Sequence, residues 1–212
     1  RWYLAYNLSL RNLKEMMSER GIGLDHSTVH RWVIRFSPKL LERFNRKKRQ
    51  VTRKWNLDET YIKVRGEWLH LYRAIDSNGD TVEFYFSKHR DLTAAKRFLR
   101  KALARHGRPE RITIDGSETN RIAIMQCDAE SRLRQTGKPI IIRSSKYMNN
   151  TIEQDHRRIK RRTRCILGFK SETAAGITLA GIELIHMMRK QQGVFEYQKA
   201  LSIKQQFEAL AA

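Results

Sequence analysis

Apolar positions recur with a helical period at the start of the chain. Trp2, Tyr3 and Tyr6 fall on one side of a short helix, and Leu10, Leu13, Met16 and Met17 form the apolar side of a second, which Ser9 is placed to cap. Gly21-Ile22-Gly23 stops it. Asp25 or Ser27 then caps a helix carrying Val29, Trp32, Val33 and Phe36 at i, i+3, i+4 and i+7, and Pro38 predicts its end. Two helices around a glycine turn have the outline of a helix-turn-helix. From Trp55 the period becomes that of strands: 55–64, 68–75 and 81–86 are rich in aromatic and β-branched residues, and Asp76-Ser-Asn-Gly79 predicts a hairpin turn. A helix over 92–105 follows, with Ala95, Phe98, Leu99 and Ala102 on one side, then a strand at 111–115. A helix around Ile122, Met125, Ala129 and Leu133, a strand at 140–142, a helix from Thr151 and a last helix over 173–190 complete the pattern.

The order βββαβαβα predicts an α/β fold, a ribonuclease H-like mixed sheet flanked by helices, preceded by a small helix-turn-helix domain. The expected boundaries are 1–42 for the helix-turn-helix, 43–54 for a basic linker, 55–192 for the ribonuclease H-like domain and 193–212 for a C-terminal tail. Because the first residue is Arg1 rather than methionine, the N-terminal domain is expected to be incomplete.

Charge changes the picture. Lys and Arg number 43 against 22 Asp and Glu, a formal charge of +21, while 40% of the residues are hydrophobic. A chain with that much periodic apolar content is not a disordered tail, and its surface seeks a polyanion, nucleic acid first. Cys127 and Cys165 have no paired spacing, so neither a disulfide framework nor a structural zinc site is expected. The apolar runs at 140–142 and 182–188 are too short to span a bilayer, so no membrane is expected as a partner.

Three carboxylates stand out by position. Asp58 falls within the first strand, between Leu57 and Tyr61, where an unpaired charge is costly to bury. Asp115 ends the strand Ile112-Thr-Ile-Asp115, at the carboxyl end where sites of α/β sheets gather. Glu153 opens the helix from Thr151. If the first and fourth strands are neighbours, Asp58 and Asp115 converge, and a helix packed on that edge adds Glu153. Three such groups suit Mg2+ or Mn2+, which take carboxylate and water ligands and act in pairs on phosphodiesters. Each acid also has an ordinary structural explanation: an ion pair for Asp58, a turn for Asp115, and a capping box Asn150-x-x-Glu153. Their joint placement among basic residues favours the metal site. Among competing acids, Glu59 points to the opposite face from Asp58, Asp76 belongs to the hairpin turn, and Asp155 lies ~200° around the helix from Glu153.

Arg157, Lys160, Arg161 and Arg164 recur at i+4, i+7, i+8 and i+11 from Glu153, a basic stripe on its side of the helix. His156, Arg158 and Arg162 are expected to thicken the stripe, and Lys146 and Tyr147 to meet DNA from the preceding loop. Eight basic residues from Arg143 to Arg164 face two acids, which weighs against a merely solvated helix. In the second N-terminal helix Ser27, Thr28, Arg31 and Arg35 lie off the apolar stripe, suited to base edges and phosphates in a major groove. An ordinary helical hairpin is the alternative. Seven basic residues and no acid lie between Arg43 and Lys54, and Lys47, Lys48 and Arg49 among them are expected to contact phosphates.

The stretches Leu57-Asp-Glu-Thr-Tyr-Ile-Lys-Val-Arg-Gly-Glu-Trp68, Leu71-Tyr-Arg-Ala-Ile-Asp76 and Lys146-Tyr-Met-Asn-Asn-Thr-Ile-Glu-Gln-Asp-His-Arg-Arg-Ile-Lys-Arg-Arg162 resemble DDE transposases of bacterial insertion sequences, specifically insertion sequence family six. Leu167-Gly-Phe-Lys170 and Ala180-Gly-Ile-Glu-Leu-Ile-His186 are similar to that family too. The resemblance implies a helix-turn-helix before a ribonuclease H-like core whose Asp58, Asp115 and Glu153 match the acidic triad and hold two divalent ions, Mg2+ or Mn2+. It implies binding to the element's terminal inverted repeats and to target DNA, joining of 3′ ends to the target with cointegrate formation, at least a dimer on DNA, and action at the bacterial nucleoid in the cytoplasm. The flanks of Asp115 depart most from the family pattern, so Glu118 and Asp128 stand as alternatives to it. A ribonuclease H-like nuclease, or an inactive derivative that only binds DNA, are the alternative functions.

Overall fold

The computed structural model describes residues 1–133, 137–145, 149–166, 168–195 and 200–212. Along the chain the elements are α1 (Trp2–Ala5), α2 (Leu10–Ser18), α3 (His26–Lys47), β1 (Lys54–Val64), β2 (Glu67–Asp76), β3 (Thr81–Ser87), α4 (Leu92–His106), β4 (Arg111–Ile114), α5 (Glu118–Arg132), β5 (Ile141–Ser144), α6 (Asn150–Arg164), α7 (Glu172–Arg189) and α8 (Ile203–Ala211). They form two compact units, one of residues 1–49, 63–67 and 158–212, the other of 50–62 and 68–157. Among the described residues no helix is long and apolar enough to cross a membrane.

The first unit is helical. Ser9 and Asn12 close a reciprocal capping box at the start of α2, and Asp25 caps α3 by accepting from the Ser27 amide at 2.8 Å. Pro38, expected to end α3, lies inside it, and the helix continues to Lys47. A proline there forfeits one backbone hydrogen bond, but the buried row Val29, Val33, Ser37, Leu40 and Phe44 runs past it and packs on α7, which outweighs the loss. Trp32 and Phe36, expected in that row, are instead 50% and 43% exposed. Leu4 of α1 and Ser37 of α3 crowd α7 at Gly181, where an added Cβ would lie 2.8 Å from Leu4 Cδ1 and Ser37 Oγ.

Two expected boundaries give way to packing. The basic segment 43–54 is not a free linker. Its first turn completes α3, Arg43 donates to the Leu210 carbonyl at 2.6 Å, and the Arg49 amide donates to the Gln192 carbonyl at 2.8 Å. Nor is 193–212 a loose tail. It contains α8, capped by Ser202 and anchored where Gln206 donates to the Met188 carbonyl at 3.1 Å. Helix α7, assigned by sequence to the catalytic domain, joins this unit because its apolar surface packs on α3, α1 and α8.

The second unit is a five-stranded sheet in the order β3-β2-β1-β4-β5. β2 and β3 pair antiparallel around the turn at Asp76, whose Oδ1 accepts the amides of Asn78 and Asp80 at 2.9 Å each, with Gly79 at φ +80°. β4 pairs parallel with β1 and with β5. Trp55, Leu57 and Tyr72 on one sheet face are buried with Phe98 and Leu99 of α4 and Ile124 of α5. The opposite face carries Asp58 and Arg73, toward α6. Three meandering strands followed by two parallel crossovers give the ribonuclease H-like topology.

Candidate active site and nucleic-acid interface

The sheet register brings the two aspartates level. β1 and β4 pair as Lys54–Arg111, Trp55–Ile112 and Asn56–Thr113. Two residues further, the same offset sets Asp58 beside Asp115, and residues paired across parallel strands ~4.8 Å apart face the same side. The Asp58 side chain is 17% exposed, its Oδ1 accepts the Glu59 amide at 2.8 Å, and its Oδ2 lies 3.6 Å from His156 Nδ1. Asp115 is exposed just past β4, where its Oδ1 accepts the Ser117 amide at 3.1 Å and Gly116, at φ +102°, turns the chain. Glu153 is exposed in the first turn of α6.

These acids share one electrostatic field. Burial pushes the Asp58 carboxyl up to about 7; its bond from the Glu59 amide opposes this, while the negative charges of Asp115, Glu59 and Glu153 add to it. A buried carboxyl surrounded by like charge calls for a cation, and an all-oxygen donor set fits a hard divalent one. Among the described residues, no three acidic, histidine or cysteine side chains are already drawn together around a metal position. The donor set therefore fits by chemistry without being closed in advance.

Two anchors hold the first turns of α6. The buried Asn149 side chain donates to the Leu57 carbonyl at 3.3 Å, beside Asp58. Buried Asp155 pairs with Arg73 of β2 at 2.6 Å. Neither was apparent from pattern alone, though a lone arginine in the apolar run Leu71-Tyr-Arg-Ala-Ile75 is a signal that it needs a buried partner. α6 begins at Asn150, so that residue lies inside the helix instead of capping it. Of the alternatives to Asp115, Asp128 is buried in ion pairs with Arg108 and Arg132, and Glu118 is paired with Arg121 at 2.5 Å. Glu59 faces away from Asp58, as expected, held by Asn120 at 2.9 Å and Arg90 at 3.3 Å.

The expected basic stripe is present in part. Arg157, Lys160, Arg161 and Arg164 are exposed along the Glu153 side of α6, as is Arg158. His156 and Arg162 do not thicken it. His156 is 5% exposed against Asp58, and Arg162 is buried over the Tyr3 ring, donating to the Tyr3 carbonyl. Both occupy positions whose neighbours Ile152, Asp155 and Ile159 form the packed face of the helix. On α3, Arg31 and Arg35 are exposed and Arg31 donates to Thr28 Oγ1 at 3.2 Å. Lys47 and Arg49 are exposed and Lys48 half-buried, with Lys47 Nζ 6.0 Å from the Phe195 ring centre and Arg49 donating to the Lys190 carbonyl. Lys146 and Tyr147 lie outside the described residues.

A ribonuclease H-like sheet with acids in its first strand, after its fourth strand and on the helix after its fifth is the frame of a polynucleotidyl transferase. Residues 52–192 match a DDE domain model, that of IS240-type transposases. The transposase of the insertion sequence-like element IS431mec of Staphylococcus aureus is 39% identical over 191 residues, 90% of this chain and 82% of the relative. The transposase of element IS257 in transposon Tn4003, from the same organism, matches at the same identity and coverage. The chain belongs to this family, the DDE transposases of insertion sequence family six, and is a DNA-acting enzyme. The catalytic core of the HTLV-2 integrase, solved with magnesium in a dimeric form, is similar with a TM-score of 0.40 and 18% identity, over 52% of this chain and 69% of that one.

Proposed function

We propose that Asp58, Asp115 and Glu153 are the acids that hold the metal, two Mg2+ or Mn2+ ions per site, and that the reaction joins the element's 3′ ends to target DNA. The observation that carries this reading is the β1–β4 register, which sets Asp58 and Asp115 side by side, with Glu153 close enough to act on the Asp58 charge. When bound, the ions supply Lewis-acid activation of the attacking water or 3′-hydroxyl and of the leaving oxygen. Asp58, the most buried of the three, would hold the metal together with Asp115 and Glu153, both exposed. Arg157, Lys160, Arg161 and Arg164 bind phosphates and lay the strand along the acids. His156 orients Asp58. Thr28, Arg31 and Arg35 read the terminal inverted repeats, and Lys47, Lys48 and Arg49 add phosphate contacts. Two ends must be held at once, which calls for at least a dimer on DNA, and the bacterial nucleoid is where both ends and target lie.

The experiment is strand transfer with Asp58→Asn, Asp115→Asn and Glu153→Gln, each of which removes a ligand charge at nearly constant volume. Each variant should lose joining while retaining DNA binding. Undiminished joining by any one removes that residue from the site.

A further inference from the structure

The sheet unit carries a second surface that the acids leave unused. Successive odd and even positions of a strand face opposite ways, so Trp68 and His70 share one face of β2. Tyr61 of β1 lies against His70 there, ring centroids 5.2 Å apart and planes at 65°. Tyr61 is 43% and Trp68 61% exposed, so core packing does not account for either ring. Arg90 pins Tyr61 from the other side: its Nη1 donates to the phenolic oxygen at 3.1 Å while its Nη2 donates to Glu59 at 3.3 Å. The Glu59 amide in turn donates to Asp58, so a short chain of contacts links these rings to the acids. Lys88, His89 and Arg90 are all exposed beside them. His70 is pushed below its ordinary pKa by burial and then by the positive charges of Arg90 and His89, which keeps its ring neutral.

We propose that Tyr61, Trp68 and Arg90 form a stacking platform for unpaired DNA bases on the sheet face opposite Asp58, a few residues along β1 from the phosphate being cut or joined. This rests on reading Asp58 as part of the active site. Cutting one strand leaves its base pairs intact, but joining an end to target DNA displaces part of a target strand, and the bases freed there lose their partners. An exposed aromatic face accepts any of them, because every base has a π-face. The guanidinium of Arg90 and the ammonium of Lys88 meet the backbone, with the exposed His89 ring beside them, in keeping with a polyanionic partner. A paired duplex buries its base faces and offers the platform little.

The test compares the full chain's binding to a blunt duplex and to the same duplex with a short unpaired 3′ extension, by fluorescence anisotropy in Ca2+. Trp68→Ala and Tyr61→Ala should each weaken binding to the extended DNA by roughly tenfold or more, with blunt-duplex affinity unchanged. Trp68→Phe and Tyr61→Phe, which keep a ring, should retain the preference. Trp68 is largely exposed, so its replacement tests the idea even if Tyr61→Ala is unstable. Equal loss on both DNAs, or no loss on either, overturns the platform. Strand transfer by the unmodified chain in Mg2+, with Asp58→Asn as control, is read separately; if joining depends on Asp58 while Trp68→Ala binds normally, only the platform falls.

Discussion

Arg73 of β2 and Asp155 of α6 form an ion pair at 2.6 Å with side chains 0% and 9% exposed. Asp155 stands two residues after Glu153, so the pair fixes the turn of α6 that presents that acid. Removing one partner takes a buried charge out of its ion pair, at a cost of about 3 to 5 kcal/mol. Arg73→Met and Asp155→Leu should each destabilise the protein by that order in urea denaturation. The double replacement should cost less than the two singles together, because the ion pair is lost only once. If the double variant is as unstable as the sum of the singles, the pair is not acting as a unit.

The Asp58 carboxyl predicts a pH dependence whose sign is unusual for an acid. Its folded pKa, raised from 3.8 to about 7 chiefly by burial, lies above its unfolded value. The folded chain therefore binds a proton more tightly than the unfolded chain between those pH values, and metal-free stability falls as pH rises through that window. Asp58→Asn should flatten this slope in melting curves recorded across pH. A bound cation competes with the same proton. Mg2+ should accordingly raise the melting temperature more at pH 8 than at pH 5.5, and an equal shift at both would sink the assignment.

The two basic regions should separate in a salt titration. Replacing Arg31 and Arg35 of α3 by Ala should weaken binding to element ends more than to random duplex, with ~1 to 3 kcal/mol lost per base contact. Replacing Arg157 and Arg161 of α6 should weaken binding to all sequences and reduce the salt slope by about one unit per phosphate. If the α3 variants lose both affinities equally, that helix does not read sequence.

Gly181 sets the spacing of α3 and α7. An added Cβ would meet Leu4 Cδ1 and Ser37 Oγ at 2.8 Å, and because both side chains are buried their neighbours must shift to admit it. Gly181→Ala should thus cost about 1 to 3 kcal/mol through overpacking and the branched Gly181→Val more, read as a lower denaturation midpoint.

Periodicity along the chain was enough to determine the strand meander, the alternation of helix and strand, and the positions of Asp58, Asp115 and Glu153 on their elements, because side-chain alternation and turn chemistry are local. Tertiary structure decided what depends on a distant partner. Pro38 lies within a helix because α7 holds that helix, and α8 is docked because Arg43 and the Met188 carbonyl receive Leu210 and Gln206. Trp32 reads as core by spacing yet lies exposed, since period identifies a stripe but not which edge of it finds a neighbour. His156 and Arg162 read as DNA contacts by charge, yet Asp58 and Tyr3 enclose them. A residue's charge is written in the chain, but its solvent exposure is set by residues up to more than a hundred positions away, as Arg162 and Tyr3 are.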